Sequence, residues 1–164
     1  CFGKPSLKPG TMQRLPAPLN RANFDKGHYY NISNAVYDKN WAMSPDWTPA
    51  NGQSTREGFV HVPMLTTEKE GATLTLPFSG NALGMAIISG NDAGMISYKI
   101  DNGPAKTLDL FTEWSSSLHL PYYICLGSDL KKGKHTLTIK MLSDKNPGSK
   151  GHACRIVHFL LNDN

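Results

Sequence analysis

The sequence predicts an all-β protein, an antiparallel sandwich of the jelly-roll kind preceded by a proline-rich strap. Three observations carry this. From residue 59 onward, short runs alternate apolar and polar residues, each closed by Gly, Asn or Asp. No long apolar stripe of helical period occurs. About seven or eight such runs at close spacing suit a sandwich or jelly roll.

The elements follow in chain order. Residues 1–23 read CFGKPSLKPGTMQRLPAPLNRAN, with Pro5, Pro9, Pro16 and Pro18 and no apolar period. This predicts an extended linker or a strap over a surface, with the sandwich domain spanning 24–164. Residues 24–58 are polar and aromatic, and turn formers flank Trp41 and Trp47. Loops are expected there, with a short strand around residues 29–32.

In ATLTLPFSG, Leu74, Leu76 and Phe78 share one face, and Thr73 and Thr75 the other. ALGMAIISG is apolar on both faces, which suits a central strand. GMISYKIDNGPAKTLDLF predicts a hairpin, with Asn102-Gly103 supplying the positive φ angles of a two-residue type I′ turn. LPYYICL, KHTLTIKML and ACRIVHFLL supply three more strands, the last close to the C-terminus.

At 164 residues and 18.0 kDa the chain is the size of one domain. Its 39% hydrophobic and 18% charged residues are ordinary for a globular fold. No apolar run is long enough to span a membrane. No signal peptide is visible, but a chain opening on Cys1 reads as processed or excised, so an export signal upstream stays open. The net charge of +4 is mild and the lysines are scattered. The one tight cluster, Lys131, Lys132 and Lys134, reads as a solvated hairpin end, and no basic face interleaved with aromatics points to nucleic acid.

Cys1, Cys125 and Cys154 are odd in number and form no C-x-x-C, which argues against zinc. Cys125 and Cys154 lie in apolar runs and read as small buried hydrophobes. A disulfide between them is left open by the sequence. Cys1 is either a lipid-bearing residue or a domain boundary.

The stretch GSDL at residues 127–130 is one transposition from the Gly-Asp-Ser-Leu signature of GDSL/SGNH esterases. A nucleophilic serine needs a base in reach and an oxyanion hole. Here the flanks read as antiparallel strands and no G-x-S-x-G elbow occurs. Asp25 and His28, in DKGH, match the D-x-x-H block of the same enzymes, but no nucleophile block precedes them. Ser128 and Asp129 therefore read as turn residues, and no catalytic residue is assigned.

L-x-x-G-x-H-T-L-T-I, from Leu130 to Ile139, resembles the late hairpin of galactose-binding-like jelly rolls. LTLPFSGNALGMAIISGNDAGMISYKIDNG resembles their central block, and ACRIVHFLLN their closing strand. The strings FTEWSSSLHLPYY and GHACRIVHFLLN are similar to the C-terminal β-sandwich attached to SGNH/GDSL-type hydrolases of gut Bacteroidetes. This resemblance implies a secreted, periplasmic or cell-surface setting. It also implies a covalently linked catalytic domain, with the proline-rich start as its linker.

Sugar sites set aromatic faces against the apolar faces of pyranose rings and hold hydroxyls with carboxylates, amides and Arg. Trp114, with Glu113 before it and His119 after it, is the first candidate platform. Trp41 and Trp47 are further candidates, or else plugs over the end of the sandwich. Asn91 and Asp92 form a polar loop that either meets the same end or only shapes a turn.

His61, His135 and His158 read as structural strand histidines. His28, His119 and His152 lack a carboxylate at metal-ligand spacing, so no metal site and no cofactor is assigned. A structural calcium on backbone carbonyls and an Asp is compatible with such sandwiches, although no EF-hand-like loop is present.

The leading expectation is a non-catalytic accessory module of a carbohydrate-active SGNH/GDSL-type esterase, binding glycan or bracing the substrate cleft. The alternatives are a small SGNH-like hydrolase in its own right and a structural protein-interaction sandwich. Partners are then carbohydrate or a linked catalytic domain, with no nucleic acid and no membrane span.

Overall fold

The computed structural model describes residues 24–50 and 52–162, together with the single residues Pro16 and Leu19. The strap expected over 1–23 otherwise lies outside the described residues. The chain runs β1 (Gly27–Tyr30), a 3-10 turn (Ile32–Asn34), β2 (Val36–Tyr37), β3 (Ala42–Trp47), β4 (Ser54–Thr55) and β5 (Val62–Thr67). There follow β6 (Thr73–Ser79), β7 (Ala82–Ser89), β8 (Met95–Ile100) and β9 (Lys106–Asp109). A second 3-10 turn (Glu113–Ser116) leads to β10 (Leu118–Gly127), β11 (Lys134–Met141) and β12 (Cys154–Asn162).

These strands build two facing sheets. The larger runs β3-β5-β12-β7-β10-β4, with β1 beside the C-terminal half of β12. The smaller runs β2-β6-β11-β8-β9. Every ladder is antiparallel except the two-residue pairing of β4 with β10. The all-β sandwich is thus the fold, and β12 lies within the larger sheet.

Period-two patterning explains the core. β6 and β11 send Leu74, Leu76, Leu137, Ile139 and Met141 inward to near-complete burial, while Thr73 and Thr136 face water. From the larger sheet Met85, Ile87, Ile156 and Phe159 meet them. β7 is buried at all eight positions because β12 and β10 flank it and its outer face is partly roofed. Burial of such side chains contributes about 1.5–3 kcal/mol each, so these rows dominate the stability.

Four expectations need correction. The β8–β9 connection is not a two-residue type I′ turn, since residues 101–105 separate the strands. The positive φ falls on Asp101 (53°), not on Asn102 or Gly103. Two forces explain this. Pro104 restricts the backbone of Gly103, and the Asp101 carboxylate is tied to the Thr136 amide at 2.8 Å.

Residues 42–47 form a strand rather than a loop. Pro45 and a register shift between Ser44 and Trp47 hide it from alternation, and both are tolerated because β3 is an edge. His61 precedes β5 in a bend with φ of 57°, not within a strand. Cys125 is exposed; only Cys154 is a buried hydrophobe, and both thiols are free. β7 lies between their strands, so no disulfide joins them.

Candidate functional site

Six of the seven sequence-predicted residues gather at one end of the larger sheet. The β7–β8 loop carries Asn91 and Asp92. A long-range seam holds it: the Lys150 amide donates to the Asn91 carbonyl at 2.7 Å, and the Ala153 amide to that of Asp92 at 2.7 Å. The Ser149 hydroxyl closes on the Ala93 carbonyl at 2.7 Å. The seam aims the Asp92 carboxylate at Arg155 of β12. The guanidinium donates from Nη1 to Oδ1 at 2.8 Å and from Nη2 to Oδ2 at 2.6 Å.

Arg155 also lies 5.5 Å from the centre of the Trp47 ring, within cation–π range. Trp47 meets the His119 ring edge-on at 5.4 Å. Met64, Ile88 and Val157 pack around Trp47, and Phe59, Val60 and Val62 close over it. Trp47, His119 and Arg155 are all buried.

The electrostatics follow from this enclosure. Burial opposes ionisation of Asp92, but the hydrogen bonds and charge of Arg155 outweigh it and hold the carboxyl below its usual range. Burial and the Arg155 charge push the His119 imidazole down, with only partial offset from Asp92. Neither ring nitrogen of His119 has a hydrogen-bond partner among the described residues, which suits a neutral ring.

Trp114 and Glu113 stand outside this stack, on the short 3-10 turn before β10. A capping box fixes the turn: Thr112 Oγ1 accepts from the Ser115 amide, and the Ser115 hydroxyl accepts from the Thr112 amide. Ser115 Oγ also lies 2.8 Å from the Ser89 hydroxyl at the end of β7. That contact brings the turn to the end that carries Asn91 and Asp92. Trp114 is 68% exposed, the largest exposed ring on this turn. Trp41 is the residue not brought here: it lies in the main core at 4% exposure.

The other half of the same sheet face is open. A furrow of about 600 Å³ runs there, floored by Ala82 and Gly84 and walled by Tyr29, Tyr123 and Leu160, with Phe24 at its mouth. Sequence reasoning singled out none of these, nor Arg155. The signal for the tyrosines was present. Each Tyr-Tyr pair must send one ring inward and one outward, and the chain buries Tyr30 and Tyr122 against the core while Tyr29 and Tyr123 face out.

Ser128 lies exposed in the β10–β11 loop and makes no hydrogen bond to a histidine or carboxylate among the described residues. Asp129 beside it has φ of 57°, the turn geometry expected of Asp. His28 lies in β1 with Nδ1 3.2 Å from the Lys26 carbonyl. No group of three His, Cys, Asp or Glu among the described residues is arranged to hold a metal. Among the described residues no helix is long and apolar enough to cross a membrane.

No protein-family profile matches the sequence, and no curated protein does. Solved structures do share the fold. A two-domain esterase (CEX) active on acetylated mannans, crystallised with mannopentaose, is similar over 93% of this chain at 15% identity, with a TM-score of 0.63. A GH26-CBM35 β-(1,4)-mannanase of Podospora anserina is similar over 85% at 14% identity and TM-score 0.53. A Paenibacillus xanthan lyase is similar over 93% at 19% identity and TM-score 0.52. The chain spans 40%, 28% and 14% of these chains. At such identity the likeness is one of fold, and the fold is one that occurs within carbohydrate-active enzymes.

Proposed function

We propose that this chain is a non-catalytic accessory module of a carbohydrate-active enzyme, and that it meets glycan through the end bearing Trp114. One observation carries the reading. Trp114 is 68% exposed on a turn locked by a capping box, with Glu113 beside it. An exposed indole costs solvation unless something covers it, and a rigid ring with a neighbouring carboxylate suits a sugar face and its hydroxyls.

The fold likeness to a two-domain esterase supports the accessory role. The finer assignment is to an SGNH/GDSL-type esterase acting on acylated glycans outside the cytoplasm, with Trp114 either on the glycan or bracing the cleft of a linked catalytic domain. Asp92 and Arg155 set the position of the loop beside it; Trp47 and His119 form the buried base.

Affinity electrophoresis tests this. The chain and its Trp114→Ala variant run through gels containing mannan, xylan, pectin or host glycans. Retardation in one glycan, lost in the variant, supports the module and places its site. Equal mobility of both proteins in every gel removes autonomous binding at this end.

A further inference from the structure

The furrow between Tyr29 and Tyr123 lies on the half of the sheet face away from Trp114. Trp114 precedes the start of β10, whereas Tyr123 sits at its middle opposite Ala86, and Cys125 of the furrow lies further on, opposite Gly84 near the start of β7. From the geometry we propose that this furrow is a second, independent sugar site that takes neutral pyranosides. The inference rests on the glycan-facing reading above and extends it to a surface which that reading does not use.

Shape comes first. Gly84 forms the floor. A Cβ there would stand 2.7 Å from the Ile124 carbonyl and 3.3 Å from Leu160 Cδ1, so no side chain can rise into the furrow at this point. Ala82 keeps the neighbouring floor low. The resulting space, about 600 Å³, lies within the range of small-ligand sites.

The walls come next. Tyr29 and Tyr123 are 61% and 55% exposed, yet both are fixed. Their hydroxyls meet at 3.3 Å, and the Tyr29 ring leans on the His158 ring at 4.8 Å. After one hydrogen bond between them the two phenols retain one O–H and spare lone pairs. The site thus pairs aromatic rings with hydroxyl-binding groups, the combination a pyranose presents in reverse.

Charge decides the class of sugar. Among the described residues no Asp, Glu, Lys or Arg lines the furrow, and the polar side chains there besides the tyrosines and Cys125 are His28 and Asn162. The hydrogen bond with Tyr29, then burial, raises the Tyr123 phenol above its usual range, so this phenol stays uncharged at neutral pH. No Lys or Arg among the described lining residues compensates the desolvation of a uronate carboxylate, whereas a neutral hexose or pentose loses no ionic hydration.

Cys125, exposed and lining the same furrow, gives a local readout. The full chain is treated with iodoacetamide, and alkylation at Cys125 is followed by peptide mapping, with and without mannohexaose, cellohexaose, oligogalacturonate or hexyl acetate. The expected result is several-fold, saturable slowing by a neutral hexaose and none by oligogalacturonate. The slowing should vanish in Tyr29→Ala and Tyr123→Ala and persist in Trp114→Ala; both tyrosines are exposed, and circular dichroism checks folding.

Absence of slowing by either neutral sugar overturns the proposal. If Trp114-dependent gel retardation still stands, the furrow alone fails; if it does not, both readings fail. Slowing that disappears in Trp114→Ala overturns the independence of the site. Equal slowing by oligogalacturonate overturns the neutral selectivity, and slowing by hexyl acetate alone overturns the sugar assignment.

Discussion

Arg155 grips Asp92 with both arms of its guanidinium, at 2.8 and 2.6 Å, and so ties the closing strand of the larger sheet to the β7–β8 loop. The pair is mostly enclosed: the Arg155 side chain is 8% exposed and that of Asp92 24%. Removing one partner leaves the other charged and poorly hydrated. Arg155→Met keeps apolar volume over Trp47 and deletes the charge. It should cost about 2–3 kcal/mol, somewhat less than for a fully buried pair because Asp92 keeps some contact with water. Urea unfolding measures it. The double variant with Asp92→Asn should cost less than the two single changes added together.

Gly90 stands where the same loop leaves β7. A Cβ there would lie 2.5 Å from His119 Nε2 and 2.9 Å from Asp92 Oδ1. Gly90→Ala should therefore destabilise by about 1–3 kcal/mol through overpacking, although its φ is not one that requires glycine. In a His119→Ala background the first clash is gone, and the penalty should shrink. An unchanged penalty in that background would mean that the Asp92 contact or the backbone carries the cost.

His135 joins two loops at the opposite end of the sandwich, the β8–β9 and β10–β11 connections. Nδ1 lies 2.6 Å from Asp101 Oδ2, and Nε2 lies 2.6 Å from the Lys131 carbonyl. Both oxygens accept, so both ring nitrogens must donate, which favours the imidazolium. The Asp101 hydrogen bond, then the Lys131 carbonyl, raises the His135 pKa. The His135 hydrogen bond, then the Thr136 amide, lowers that of Asp101.

A raised histidine pKa gives stability that is fully present below the unfolded value of about 6.5 and is lost as pH rises through the folded value. A lowered aspartate pKa gives stability present above about 3.9 and lost as pH falls through the folded value. The urea midpoint should therefore decline as pH rises above about 6.5, and Asp101→Asn should flatten that decline. A wild-type midpoint that stays level from pH 6 to about 9 would count against the latch.

How much of this was legible in the sequence differs by element. ALGMAIIS announces a strand buried on both faces, and it is the central β7. TLTLPFS and KHTLTIKM show their core faces by alternation. The Asn102-Gly103 turn misleads because Asp101 takes the left-handed position and anchors to Thr136 of another strand, a contact no local pattern encodes.

The site splits in the same way. Trp114 among polar residues reads as a candidate platform, with packing against the sandwich left open by the sequence; its ring is exposed. Arg155 inside ACRIVHFLL carried a signal that went unread: a charge in an apolar strand needs a partner. Asp92, 63 positions away in sequence, could not be named as that partner without the seam formed by residues 148–153.

The two thiols differ in burial, and their chemistry should differ accordingly. The thiolate is the reactive form. Burial drives the Cys154 pKa up to about 12, only weakly opposed by the Arg155 charge, so its thiolate is negligible at neutral pH. Its side chain is also enclosed in the core between the two sheets. Cys125 lies on β10 with its residue exposed. In the native chain iodoacetamide should label Cys125 within minutes to hours, whereas Cys154 should be labelled only at the rate of global opening. Adding urea above the midpoint should bring both to similar rates. Peptide mapping separates them from Cys1. Fast native labelling at Cys154 would show that β12 opens locally, and the Arg155–Asp92 clamp would then be weaker than its geometry indicates.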